Sequence, residues 1–170
     1  MSDKFIGSNP ANYSIGREGL SITMGIFHRT AISGDSALGE ATYSHNNIVK
    51  ASYYKVIDLD GNIVQSTIPS VTEWNSDEWP INLRTLAYEF TGPNGSALTV
   101  KQISAVIEDI KLDPATKTIK PVRLSLPEIL SLKASGWFNH LDVTKAFNIP
   151  GGHVDAISEA EITQILNGIR

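Results

Sequence analysis

Four histidines and a knot of acids among tryptophans are the side chains in this sequence whose types could do chemistry. His153-x-Asp155 and His140-x-Asp142 combine the nitrogen and oxygen donors that hold divalent metal ions. A helix would have to supply such ligands four residues apart, as in H-E-x-x-H, and no such pair occurs. His28 falls in a strand and His45 in a polar stretch. The histidines therefore read as surface or hydrogen-bonded side chains, and neither a metal site nor any other cofactor is expected.

Glu73, Asp77 and Glu78 stand beside Trp74 and Trp79. Indole faces stack on sugar rings while carboxylates accept hydroxyl protons, so these five residues are the candidate ligand site, for a glycan. The plain alternatives are tryptophans folded back over the core and tryptophans anchoring a protein interface. Gly34-Asp35-Ser36-Ala37-Leu38 begins like a nucleophile elbow but lacks its last glycine. Asp58-Leu59-Asp60-Gly61-Asn62 has acids like a calcium loop, yet glycine stands fourth and Pro69 occupies the twelfth position. No phosphate-binding glycine motif is present. No catalytic constellation emerges, and no enzymatic activity is expected.

The elements that must position these groups read as follows. Leu20, Ile22, Met24 and Ile26 alternate with polar or small residues, which predicts a strand over 20–30 with one buried face. Residues 31–39 read as a turn and 40–44 as a weak strand. Residues 48–58 and 62–68 flank Asp60-Gly61, the pattern of a hairpin. Residues 71–80 read as a loop. A strand over 82–91 puts Leu86, Tyr88 and Phe90 on one face, and Gly92-Pro93-Asn94-Gly95 suggests a second hairpin into a long run over 97–112. Asp113 to Thr116 makes a turn, and 118–124 an edge strand interrupted by Pro121. The sum is about seven strands joined by tight turns, an α+β, mainly β protein built on an antiparallel β-sandwich.

Three short helices follow. Ser125 and Pro127 open the first, which Gly136 closes. Asp142 caps the second, carrying Val143, Ala146 and Phe147. Ser158 and Glu161 form a capping box for the third, whose stripe is Ile162, Ile165, Leu166 and Ile169. The expected organisation is an arm over 1–17, a sandwich over 18–124 and a helical segment over 125–170.

Composition narrows the function. The net charge is −4, which disfavours a nucleic-acid partner. The sequence has no cysteine, so disulfides, thiol catalysis and cysteinyl metal sites are excluded. No apolar run is long enough to span a membrane, and the start lacks a signal-peptide pattern. A cytoplasmic location, or incorporation into a particle, is expected. The arm carries Phe5, Ile6, Tyr13 and Ile15, and the last helix a stripe with Ile162, Ile165 and Ile169; these are the candidate interface residues. The first expectation is a non-enzymatic structural subunit that associates with itself or another protein, as in a virion, phage tail or bacterial assembly. The second is a carbohydrate-binding module using the Trp74/Trp79 loop.

Overall fold

The computed structural model describes residues 4–30, 36–93, 95–152 and 155–170. Residues 31–35 of the turn expected over 31–39, Asn94 and His153 lie outside them; residues 36–39 of that turn, and the strand expected over 40–44, are instead the cap and body of a helix. Eight strands and six helices are formed among the described residues. The strands are β1 (Lys4–Phe5), β2 (Tyr13–Ile15), β3 (Met24–Arg29), β4 (Lys55–Ile57), β5 (Ile63–Gln65), β6 (Val71–Glu73), β7 (Thr85–Phe90) and β8 (Gly136–Asn139). The helices are α1 (Ala37–Asn46), α2 (Trp79–Asn82), α3 (Val100–Leu112), α4 (Leu126–Ser131), α5 (His140–Phe147) and α6 (Glu159–Ile169).

The antiparallel β-sandwich expected over 18–124 is not formed. Six strands make one sheet in the order β1-β5-β4-β7-β3-β8, and of its neighbouring pairs only β4–β5 is antiparallel. β2 and β6 form a separate antiparallel pair. Helices cover both faces. Phe27, Leu86, Tyr88 and Phe90 meet Ile103, Val106, Ile110, Ile162, Ile165 and Leu166 from α3 and α6. Met24, Ile26, Ala87 and Phe138 meet Ile81, Ile129 and Val143 from α2, α4 and α5. Ala37 and Ala41 of α1 lie on Val56 and Val64. Every residue of β3 and β7 is buried, so the alternation in β3 separates two covered faces rather than core from solvent.

Two helices account for the error. Residues 97–112 hold six β-branched residues and look like strand. Thr99 and Gln102 nevertheless form a capping box, and Ile103, Val106 and Ile110 make one buried helical face. In α1 the buried face is Ala37, Ala41 and Ser44, too small and polar to show as a hydrophobic period. A helix after β7 and another before β4 turn hairpins into crossovers, which makes parallel pairing possible. The Asp60-Gly61 hairpin does form, with Asp58 Oδ1 accepting from Asp60 N and Asn62 N. Residues 118–124 make only an isolated bridge, Arg123 to Trp137. α4 ends at Leu132, in a left-handed conformation, and Gly136 begins β8 instead of closing a helix.

The arm folds onto its own chain. β1 pairs with β5, β2 pairs with β6, and Ile6 lies against the α1 cluster. Arg17 is buried and donates to the carbonyls of Pro69, Asn82, Leu83 and Thr85. The stripe of α6 is spent against α3 and the sheet: Ile162 and Ile165 are buried, and Ile169 is partly buried against the same core. Phe5, Tyr13 and Ile15 stay at the surface, Ile15 being 94% exposed. Neither end supports the expected self-association. No helix among the described residues is long and apolar enough to cross a membrane.

Candidate functional site

β3, β7 and β8 are mutually parallel, so their carboxyl ends share one edge of the sheet, where ligands bind in open α/β folds. His28 is the penultimate residue of β3, and its register partner on β7 is Glu89. β8 ends at Asn139, and the next residue is His140, the first of α5. Asn139 Nδ2 donates to Ile157 O at 2.9 Å, and Asn139 Oδ1 accepts from Ile157 N at 3.2 Å. That pair of bonds ties the segment before α6 to the end of β8 and brings Asp155 to the histidines.

His28 Nδ1 lies 3.0 Å from Asp155 Oδ2, and His140 Nδ1 lies 3.0 Å from Asp155 Oδ1. The two imidazole centroids are 4.6 Å apart. One nitrogen of each histidine and one Asp155 oxygen all lie within 4.8 Å of each other. Ligand bonds of about 2.0–2.2 Å put the donors of a tetrahedral zinc site roughly 3.3 Å from each other. Two imidazoles and one carboxylate are also a donor set that leaves a fourth position open, as catalytic zinc sites do. The three residues therefore fit a divalent ion. Burial alone would raise the Asp155 pKa, but hydrogen bonds from His140 and His28 outweigh it and hold the carboxyl well below the usual range. Asp77 approaches from outside, its Oδ2 3.9 Å from His140 Nε2.

Glu89 and Tyr53 complete the floor. Glu89 is buried, and its pKa is pushed well above the ordinary carboxyl value by burial first, then by the charges of Asp155 and Glu40. The Tyr53 hydroxyl hydrogen-bonds it, and the Tyr53 ring stands 5.3 Å from that of His28. These groups line a pocket of about 390 Å³ together with Lys50, Ala51 and residues 74–77. A larger groove of about 870 Å³ runs along α3, where Lys55 is engaged by two acids, its Nζ 2.6 Å from Asp109 and 2.7 Å from Asp113.

The structure scatters the five candidate ligand residues. Trp74 and Asp77 line the pocket. Glu73 is fully buried behind it; its Oε2 accepts from Ala87 N and Asn75 Nδ2, and Thr67 donates to its Oε1. Glu78 precedes α2. Trp79 is 41% exposed, its Nε1 donating to Glu18 away from the pocket wall. His45 bonds Gly7 O. Ser36 caps α1. The sequence reading takes His28 and His140 for ordinary surface or hydrogen-bonded histidines, and Tyr53, Glu89 and the pairing of both histidines with Asp155 do not show in it. A usable signal was present: His28 and Glu89 both interrupt apolar strands near their carboxyl ends.

No protein-family model matches the sequence, and no curated protein sequence matches it. Solved structures do match in fold. Staphylococcus aureus hydrolase AmiA, in complex with its ligand, superposes with a TM-score of 0.72 at 17% identity, covering 99% of this chain and 83% of that one. The catalytic domain of XlyA gives 0.61 at 15% identity, with both chains covered completely. The endolysin N-acetylmuramoyl-L-alanine amidase LysCS from Clostridium intestinale gives 0.57 at 16% identity, covering 96% of this chain and 95% of that one. The chain thus has the mixed α/β fold of these hydrolases. The expected non-enzymatic assembly subunit is overturned by that fold and by the ionisable pocket at the sheet edge.

Proposed function

We propose that the protein is a metal-dependent amidase that cleaves the bond between N-acetylmuramic acid and L-alanine in peptidoglycan. One observation carries the reading: His28, His140 and Asp155 converge beside Glu89 at the carboxyl ends of parallel strands. The fold it shares with N-acetylmuramoyl-L-alanine amidases supports the choice of substrate. A divalent ion held by these three residues would polarise the amide carbonyl and lower the pKa of a bound water.

The chain's own residues divide the remaining work. The Glu89 carboxyl accepts a proton from the attacking water and delivers it to the leaving nitrogen of L-alanine. Burial and the charges of Asp155 and Glu40 raise its pKa, which favours holding the proton between the two transfers. The Tyr53 hydroxyl donates its proton to a hydrogen bond with Glu89 and so orients that carboxyl. Hydrolysis adds hydroxide to the lactyl carbonyl carbon and a proton to the alanine nitrogen, so the products are a free muramoyl carboxylate and a new amino terminus.

The test is digestion of purified peptidoglycan, with mass spectrometry of the soluble fragments. New L-alanine amino termini, abolished by a chelator and restored by zinc, are expected. Fragments with new reducing sugar ends and intact muramoyl–alanine bonds would instead assign the pocket to glycoside cleavage.

A further inference from the structure

The residues that line the pocket with the histidines include a cation in a strained backbone conformation. Lys50 has φ +55°, a left-handed conformation that is strained for a non-glycine residue. Asn12, from the arm, holds it there. The Asn12 side chain is fully buried and uses its whole capacity: Oδ1 accepts from Val49 N and Lys50 N, and Nδ2 donates to Ser44 O and Asn47 O. Two residues on, Ser52 is tied to the backbone of Trp74, with Ser52 N bonding Trp74 O and Ser52 Oγ accepting from Trp74 N. The Trp74 indole is itself fixed by Ser14. Lys50 and Trp74 therefore form one rigid rim.

The Lys50 side chain is exposed and makes no ion pair among the described residues. Around the same pocket stand Glu40, Asp77, Glu89 and Asp155. Two cationic side chains line the pocket as well: Arg29 is buried and donates to Ser96, which leaves Lys50 as the exposed one that can meet an anionic group in this acidic cleft. We infer that Lys50 is a specificity-determining residue that takes a free carboxylate on the peptide side of the substrate and so sets its direction across the pocket. The inference rests on the amidase reading for the identity of the substrate. Strain fixed by a buried clamp at the mouth of a site is the arrangement expected when a backbone must aim one side chain.

The experiment compares an N-acetylmuramoyl-L-alanyl-D-glutamate dipeptide with its dicarboxamide. Binding is measured calorimetrically in chelator, and cleavage is measured with zinc. The wild type should prefer the acid about tenfold in both Kd and kcat/KM, the scale of one exposed charge-assisted hydrogen bond. Lys50→Gln should reduce that preference to less than twofold, and Lys50→Arg should keep it. Lys50→Gly removes the charge while suiting the left-handed backbone, so its loss of preference cannot be ascribed to misfolding. Equal treatment of acid and amide by the wild type, or a preference that survives in Lys50→Gln and Lys50→Gly, overturns the inference. Lys50-dependent binding without cleavage would overturn the amidase reading and leave the anion site standing.

Discussion

Glu73 and Glu89 show why a carboxyl cannot be judged by its sequence neighbours. Glu73 sits among tryptophans and acids, yet it is sealed in protein, where it stands in for a missing strand partner at Ala87 N. Burial pushes its pKa up to about 7, with Arg17 and the bonds from Asn75, Ala87 and Thr67 opposing. The folded value lies above the unfolded 4.5, so the folded chain binds more protons between them. That contribution to stability is full below pH 4.5 and is lost as pH rises through 7, by about 3 kcal/mol. Denaturant titrations from pH 4.5 to 8 should show this fall, and Glu73→Gln should flatten it. Glu89 has no such conspicuous neighbours and was passed over, though it interrupts an apolar strand one residue before its end. Glu89→Gln should lower kcat by about 10²–10⁴ without unfolding the chain. A loss below tenfold in steady-state assays would remove it from the reaction. The histidines were legible as residue types only. His28 and Asp155 are 127 residues apart, and no spacing rule joins them.

At the scale of elements, local signals with strong chemistry were readable. The capping box of α6, its stripe and the Asp60-Gly61 turn form as their residues dictate. α3 was misread because β-branched residues favour strands in general, while here its cap and its buried face decide otherwise. That one element separates a hairpin from a crossover, and hence an antiparallel sheet from a parallel one. β3 and β8 approach closely because Gly25 has no side chain: a Cβ there would lie 2.1 Å from the Trp137 ring. Trp137 is fully buried and stacks on Phe27 at 5.0 Å. Gly25→Ala should therefore destabilise by about 3 kcal/mol or more, read as a drop in Tm. Because the same two strands carry His28 and lead to His140, activity should fall even where the variant remains folded.

For the whole molecule, both ends close the structure on itself. β1 extends the sheet, β2 supports the Trp74 loop, and Arg17 satisfies carbonyls around α2. Removing residues 1–17 should lower Tm sharply and leave the mass in light scattering at its full-length value less the arm. A change in subunit number would restore the arm as an intersubunit clasp. The pocket exists only once β3, β8 and the segment before α6 are assembled. Its direct test is a zinc titration of chelator-treated protein by calorimetry, with Tm followed in parallel. One ion per chain is the expected result, with stabilisation of about 2.7 kcal/mol at a hundredfold excess over Kd and loss of binding in Asp155→Ala. Absence of binding, or binding unchanged when His28, His140 and Asp155 are all replaced by alanine, would contradict the metal-centred site.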